Sequence, residues 1–184
     1  IVLQRTLLRS NLLLSRFDLD GVRARVALRD SKHLVPWRRE MWYRWLRQQQ
    51  TKRRLRFTAS LVGEKTIDRI GIVRAVKIGI RRVLGRLKIK PDQCRIVLDG
   101  GLKAPAKYKN QRTVIRGDSV VPIIMLASIA AKVRRDRRMV KLARAYPAYG
   151  FEIHKGYGTK KHYRALRRRG LSPLHRRTFL KNFH

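Results

Sequence analysis

Acidic residues are scarce in this 184-residue chain: 11 Asp and Glu stand against 47 Lys and Arg, leaving a formal net charge of +36. Self-repulsion on that scale is tolerable mainly when a polyanion neutralises it, so acidic partners are expected, nucleic acid foremost among them. Cysteine is nearly absent too. The lone Cys94 excludes an intrachain disulfide, suits a reducing compartment and reads as a small buried hydrophobe. No stretch approaches the roughly 20 apolar residues of a spanning helix. The basic residues are spread along the chain instead of flanking one amphipathic anchor, which argues against a membrane-surface role. Internal repeats, linkers and low-complexity segments are missing. The sequence opens on Ile1 and not on Met, so an upstream segment such as a targeting peptide is expected to have been removed or left out. With 43% apolar residues in periodic runs, the chain should bury a real core, as one domain over residues 1–184 with a basic C-terminal helical segment.

The apolar pattern predicts strands first, then alternating helices and strands. "LLLSRF" and "VRARVAL" read as two strands around an Asp-Gly turn at Asp20 and Gly21, the second alternating Val22, Ala24, Val26 and Leu28 with arginines. Ser31 is a candidate helix start, followed by Trp37, Met41, Trp42, Trp45 and Leu46 on one side; that stripe places the tryptophans in the core. Alternation of Leu55, Phe57, Ala59 and Leu61 predicts a strand. Ile67, Ile70, Val73, Val76, Ile80, Val83 and Leu87 recur at helical spacing over residues 64–87. "RIVLDGG" and "QRTVIRGD" are short buried strands, then a helix runs from Ser119 to Tyr146, apolar first and basic later, and a last helix ends at Gly170.

Two of the few acids, Asp99 and Asp118, close those two strands, where α/β folds present side chains to ligands. They can face one site, or they can pair with Arg112 or Arg116, or accept from turn N–H groups. The stretch from His154 to Arg177 holds no acid at all. His154, His162 and His175 lack metal-ligand spacing and no Cys is near, so zinc is not expected. Lys155, Lys160, Lys161 and Arg164 suit phosphate contacts, which grip nucleic acid without reading its sequence. Arg116, Lys132, His175, Arg176 and Arg177 extend that basic set, and Lys32 is either a further contact or an ordinary residue at a helix start. Arginine runs on three different elements make the chain basic on several faces.

The motifs "LRDSKHL", "EKTIDRIGIVRAV", "IVLDG", "RGDSVVPIIMLASIAAKVRRDRRM" and "YPAYGFEIHKGYGTKKHYRALRRRGLSPLHRRTF" together resemble the ribonuclease HII family of the ribonuclease H superfamily. They follow the family's order and approximate spacing from residue 28 to residue 179. The resemblance implies an α/β, ribonuclease H-like fold with a mixed five-stranded sheet flanked by helices. It further implies cleavage of the RNA strand of RNA/DNA hybrids at embedded ribonucleotides, by two Mg²⁺ ions held by four carboxylates. Asp99 and Asp118 match the third and fourth of these. Tyr157 matches the tyrosine that packs on a sugar at the RNA–DNA junction.

One motif departs from the family. The Asp-Glu pair of its first strand, with the Gly-Arg-Gly that follows, falls on Ile1, Val2 and Gln4-Arg5-Thr6 in an ungapped register, where only Arg5 and Leu8 fit, or lies upstream of Ile1 in a shifted one. Two carboxylates offer two negative charges against the four positive charges of two Mg²⁺ ions, in a chain already strongly basic. The missing glycines also remove a close backbone approach to the ribose 2′-hydroxyl. The leading expectation is therefore a catalytically degenerate relative. It would serve as a structural RNA-binding component of a ribosome, mitochondrial or otherwise organellar, with ribosomal RNA and neighbouring proteins as partners and no cofactor. The alternative is an active ribonuclease HII that cuts RNA/DNA hybrids with Mg²⁺ or Mn²⁺. Both are intracellular readings, in the mitochondrial matrix, another organelle or the cytoplasm.

Overall fold

The computed structural model describes residues 6–8 and 34–180. Its strands are β1 (Thr6–Leu8), β2 (Cys94–Asp99) and β3 (Gln111–Val114). Its helices are α1 (Pro36–Thr51), α2 (Glu64–Ile70), α3 (Ile72–Arg86), α4 (Gly117–Val120), α5 (Pro122–Ala145), α6 (Phe151–His154) and α7 (Lys160–Arg169). Two compact units emerge, one of Ile1–Leu61 and Val76–Val133, the other of Val62–Ala75 and Arg134–His184.

The first unit holds a three-stranded sheet in the order β1-β2-β3. β1 pairs antiparallel with β2, Thr6 opposite Ile96, and β2 pairs parallel with β3, Asp99 opposite Val114. The sheet is thus mixed, as expected, with three strands among the described residues. The two strands expected at residues 12–17 and 22–28 lie outside them. Cys94, Ile96 and Leu98 alternate inward along β2 and pack on Ile80, Val83, Leu84, Leu87 and Ile89. Full burial of such a side chain is worth about 1.5–3 kcal/mol. The β2–β3 connection adds Ala104 and Tyr108 to this core, and the Gln111 side chain organises it, Oε1 accepting from Ala104 N–H at 2.8 Å and Nε2 donating to the Tyr108 carbonyl at 2.9 Å. A second cluster joins Trp42, Tyr43 and Leu46 of α1 to Leu126, Ile129, Ala130 and Val133 of α5.

Several sequence expectations shift in detail. α1 begins at Pro36, where proline's fixed φ suits the first helical position. Its buried face runs through Arg39, Trp42, Tyr43, Leu46 and Gln49. Trp42 is therefore core, Trp45 packs at its edge, and Trp37 is 56% exposed, because it and Met41 lie off that face. The helix expected over 64–87 breaks at Gly71, whose φ of +79° is open to glycine and costly for most other residues. The helix expected from Ser119 breaks at Val121, held extended by the proline that opens α5. Residues 55–62 carry a single bridge position, at Ser60, instead of a strand. There the carbonyls of Ala59 and Leu61 accept from the Arg86 and Arg82 guanidinium groups at 2.8 and 3.2 Å. Arg56 donates likewise to the Leu87 carbonyl, and Arg39 to that of Leu34.

In the second unit, short elements gather around Phe151, which is 2% exposed. The rings of Tyr149, His154, His162 and His175 pack about it, Tyr149 stacked nearly parallel at 5.4 Å between centroids. Thr159 caps α7, its Oγ1 accepting from the His162 N–H. α7 buries only His162 and Leu166.

Candidate active site and nucleic-acid interface

In the first unit, the carboxyl ends of parallel β2 and β3 bring Asp99 and Asp118 to one place. The chain leaves β3 at Val114, turns through Arg116 in the left-handed conformation (φ +53°) and enters α4 at Gly117. The Gly117 N–H donates to Asp99 Oδ1 at 2.8 Å, tying the end of β2 to the start of α4 one residue before Asp118. Of the two local alternatives for Asp99, turn N–H acceptance is therefore the one observed. A Cβ at Gly117 would lie 2.6 Å from Ile124 Cδ1 and 3.4 Å from Asp99 Oδ1, so the approach depends on glycine. Asp118 is buried, and the Ser119 hydroxyl lies 3.5 Å from its Oδ1. Strained non-glycine backbone at Arg116 fits a functional turn, where the surrounding structure over-determines the conformation. Arg116 and Arg112 are both exposed.

The carboxylates of Asp99, at the end of β2, and Asp118, in α4, are hard oxygen donors, the kind Mg²⁺ and Mn²⁺ take. The chemistry of both side chains suits such a cation. Among the described residues no cluster of three or more His, Cys, Asp or Glu could hold a metal ion, so the rest of a coordination shell would come from water, phosphate or elsewhere in the protein.

In the second unit, the turn after α6 presents Tyr157, 51% exposed. Lys155 and Gly156 both have positive φ, +50° and +77°. The turn is held from several sides. Arg135 Nη2 donates to the Lys155 carbonyl at 2.8 Å and its guanidinium lies 4.4 Å from the Tyr157 ring centroid. His162 Nδ1 donates to the Tyr157 carbonyl at 2.9 Å, and the Gly156 N–H donates to His154 Nδ1 at 3.1 Å. Lys155 Nζ folds back onto the Glu152 carbonyl.

His162 and His175 share a hydrogen bond and His154 stacks on His162, 4.2 Å between centroids; the protons of the three rings can be placed from their partners. Tyr149 and Tyr157 offer carbonyls, so His154 Nε2 and His162 Nδ1 carry protons. The Ser172 N–H donates to His175 Nδ1 at 2.9 Å, so the proton of His175 is on Nε2, which donates to His162 Nε2 at 3.1 Å. All three rings are satisfied as neutral imidazoles. Burial pushes His162 and His175 below the ordinary histidine value, neighbouring histidines adding to the effect; the Tyr157 carbonyl opposes it at His162 and the Ser172 backbone at His175. The expectation that His175 touches phosphate is corrected here: the ring is buried and both its nitrogens are engaged. Periodicity could not reveal this, since the three rings come from different elements.

Lys160, Lys161 and Arg164 project from the exposed surface of α7 beside Arg167, Arg168 and Arg169, with no acid in the helix. Arg176 is half-buried, stacked 3.9 Å from the Phe179 ring centroid; burial and the nearby Arg135 lower its affinity for a proton, Asp68 opposing them. Arg177 and Thr178 donate their N–H groups to the Asp68 carboxylate at 2.8 and 3.1 Å, and Thr178 Oγ1 donates at 2.6 Å. Although desolvation pushes the Asp68 carboxyl up, these bonds, Thr178's first, hold it below the usual carboxylate range. Sequence reading missed both Asp68 and Arg135. Lys132 is partly buried, and Arg5 and Lys32 lie outside the described residues. No described helix is long and apolar enough to cross a membrane.

A family model for Ribonuclease HII matches residues 21–182. Among similar proteins, the Ribonuclease HII of Caldicellulosiruptor bescii is 41% identical over 164 residues, covering 89% of this chain and 76% of that protein. That of Endomicrobium trichonymphae is 40% identical over 152 residues, covering 83% and 70%, and that of Coxiella burnetii 43% identical over 123 residues, covering 67% and 59%. These relatives carry the name of a nuclease and lend no support to a ribosomal or organellar structural role. The expectation of a degenerate structural RNA-binding protein gives way to the alternative stated beside it.

Proposed function

Because this chain belongs to the ribonuclease HII family, we propose that it acts on RNA/DNA hybrids as a metal-dependent endoribonuclease, cutting the RNA strand at embedded ribonucleotides. The observation that carries this reading is the convergence of Asp99 and Asp118, fixed by the Gly117 N–H on Asp99 Oδ1. Asp99 and Asp118 are the residues that would hold Mg²⁺ or Mn²⁺. When bound, such a cation activates a water for in-line attack and offsets charge on the leaving oxygen.

The chain's own residues bind and orient. Gly117 aims one oxygen of Asp99 at its own N–H, which leaves Oδ2 as the more available donor. Lys160 and Lys161 occupy the first turn of α7, where the partial positive charge of the helix end makes lysines unfavourable unless an anion is close. A backbone phosphate meets that need, and Arg164 one turn on extends the grip. Tyr157 offers its exposed ring to a sugar.

A second reading, hybrid binding without cleavage, is favoured by one observation: Ile1 and Val2 stand where the ungapped register seeks Asp and Glu. One experiment separates the two. The chain is incubated with a DNA duplex carrying a single ribonucleotide, with Mg²⁺ and separately with Mn²⁺. Cleavage at the ribonucleotide that disappears in Asp118→Asn supports the nuclease. Salt-sensitive binding without cleavage supports the second reading, and neither binding nor cleavage sinks both.

A further inference from the structure

The family motifs account for Tyr157 but assign nothing to the arginine beneath it. Arg135 reaches the Tyr157 turn from α5 with two simultaneous contacts. Nη2 donates to the carbonyl of Lys155, two residues before the tyrosine, at 2.8 Å. The same planar group lies 4.4 Å from the Tyr157 ring centroid, within the range where a guanidinium is attracted to an aromatic face. On its other side Nη1 stands 3.6 Å from Asp136 Oδ1, an ion-pair distance and not a hydrogen bond.

The pinned carbonyl belongs to a left-handed lysine followed by a left-handed glycine. Such a pair is a place where the backbone would otherwise relax. Gly156 is itself seated closely, since a Cβ there would lie 3.2 Å from Met139 Cε, one helical turn beyond Arg135. The His162 bond to the Tyr157 carbonyl fixes the backbone, and the Arg135 guanidinium contacts the ring.

We propose that Arg135 is a positioning residue, setting the plane in which Tyr157 meets the sugar of a bound ribonucleotide. The inference rests on the reading of Tyr157 as a substrate contact. Lysine cannot replace the group, because a point charge has neither the fork that holds the carbonyl nor the plane that stacks on the ring.

The test is a double-mutant cycle with Arg135→Lys, Arg135→Gln and Tyr157→Ala. In the presence of EDTA, fluorescence anisotropy compares binding of a DNA duplex containing one ribonucleotide with that of an all-DNA duplex. Each Arg135 variant is expected to lose about fivefold in this preference in the native background and to change nothing further once Tyr157 is alanine. As a second readout, the ring resonances of ¹³C-labelled Tyr157 in the free protein should shift in Arg135→Lys. Circular dichroism checks folding, and the lysine variant carries the test should the glutamine variant unfold. Equal losses in both backgrounds, or unmoved Tyr157 resonances, would overturn the proposal. If the native chain shows no preference between duplexes, the substrate reading of Tyr157 fails, and the resonances alone decide whether Arg135 sets the ring.

Discussion

Mild acid should destabilise the second unit, and the histidine pair says where on the pH scale. His162 and His175 are held below their ordinary value by burial, so the unfolded chain takes up protons that the folded chain refuses. Stability therefore rises with pH across this window; it is undiminished well above the ordinary histidine value of 6.5 and is lost as pH falls below it. While both rings stay neutral in the fold, each contributes a loss of up to about 1.4 kcal/mol per pH unit. Refusal is costly to abandon: protonating His175 Nδ1 would aim an N–H at the Ser172 N–H, and protonating His162 Nε2 would aim one at His175. Lowering the pH from 7.5 to 5.5 should thus cost up to about 3 kcal/mol for the pair. The assay is urea unfolding at pH 7.5, 6.5 and 5.5, followed by far-ultraviolet circular dichroism, on the native chain and on His175→Gln. The native midpoint should fall steeply, and the variant, less stable at pH 7.5, should fall less. A flat profile, or the same slope in both proteins, would refute the reasoning.

Asp68→Asn should loosen the Arg177–Phe179 turn, read as faster hydrogen exchange at the Arg177 and Thr178 amides. Because the Asp68 carboxyl is lowered in the fold, its contribution is present above the ordinary carboxylate value of 3.8 and is lost as pH falls below that, a window separate from that of the histidines. Gly117→Val should cost about 1–3 kcal/mol by forcing Ile124 aside, measured by chemical denaturation, and should reduce cleavage further than the stability change explains because the tie to Asp99 is disturbed. Phe151→Ala should cost about 3–5 kcal/mol, the ring being central to the second unit; a loss under about 1 kcal/mol would show that the histidines pack without it.

Much of the site was legible because it lies in contiguous motifs. The strand ending at Asp99 follows from a short apolar run closed by an acid, whereas Asp118, expected at the end of the next strand, lies past it in α4. Breaks inside long apolar patterns were not legible. Val73 continues the helical stripe yet is 63% exposed, because Gly71 lets the chain change direction just before it. Of the stripe Trp37, Met41, Trp42, Trp45 and Leu46, Trp42 and Leu46 are buried as expected and Trp45 packs at the edge, but Trp37 and Met41 fall off the packed face, which runs through Arg39, Trp42, Tyr43 and Leu46. Nor could the roles of His162, His175 and Arg135 be read in advance, since each depends on a partner carbonyl or ring brought near only by folding.

Charge misled most. Arg39, Arg56, Arg82, Arg86 and Arg135 each direct a guanidinium at a main-chain oxygen, so part of an alkaline composition ties the chain to itself and does not serve as adhesive. Exchanging those five for lysine would leave electrophoretic behaviour nearly untouched while removing planar struts that span segments far apart in sequence. Cohesion and basicity can thus be engineered independently in this chain.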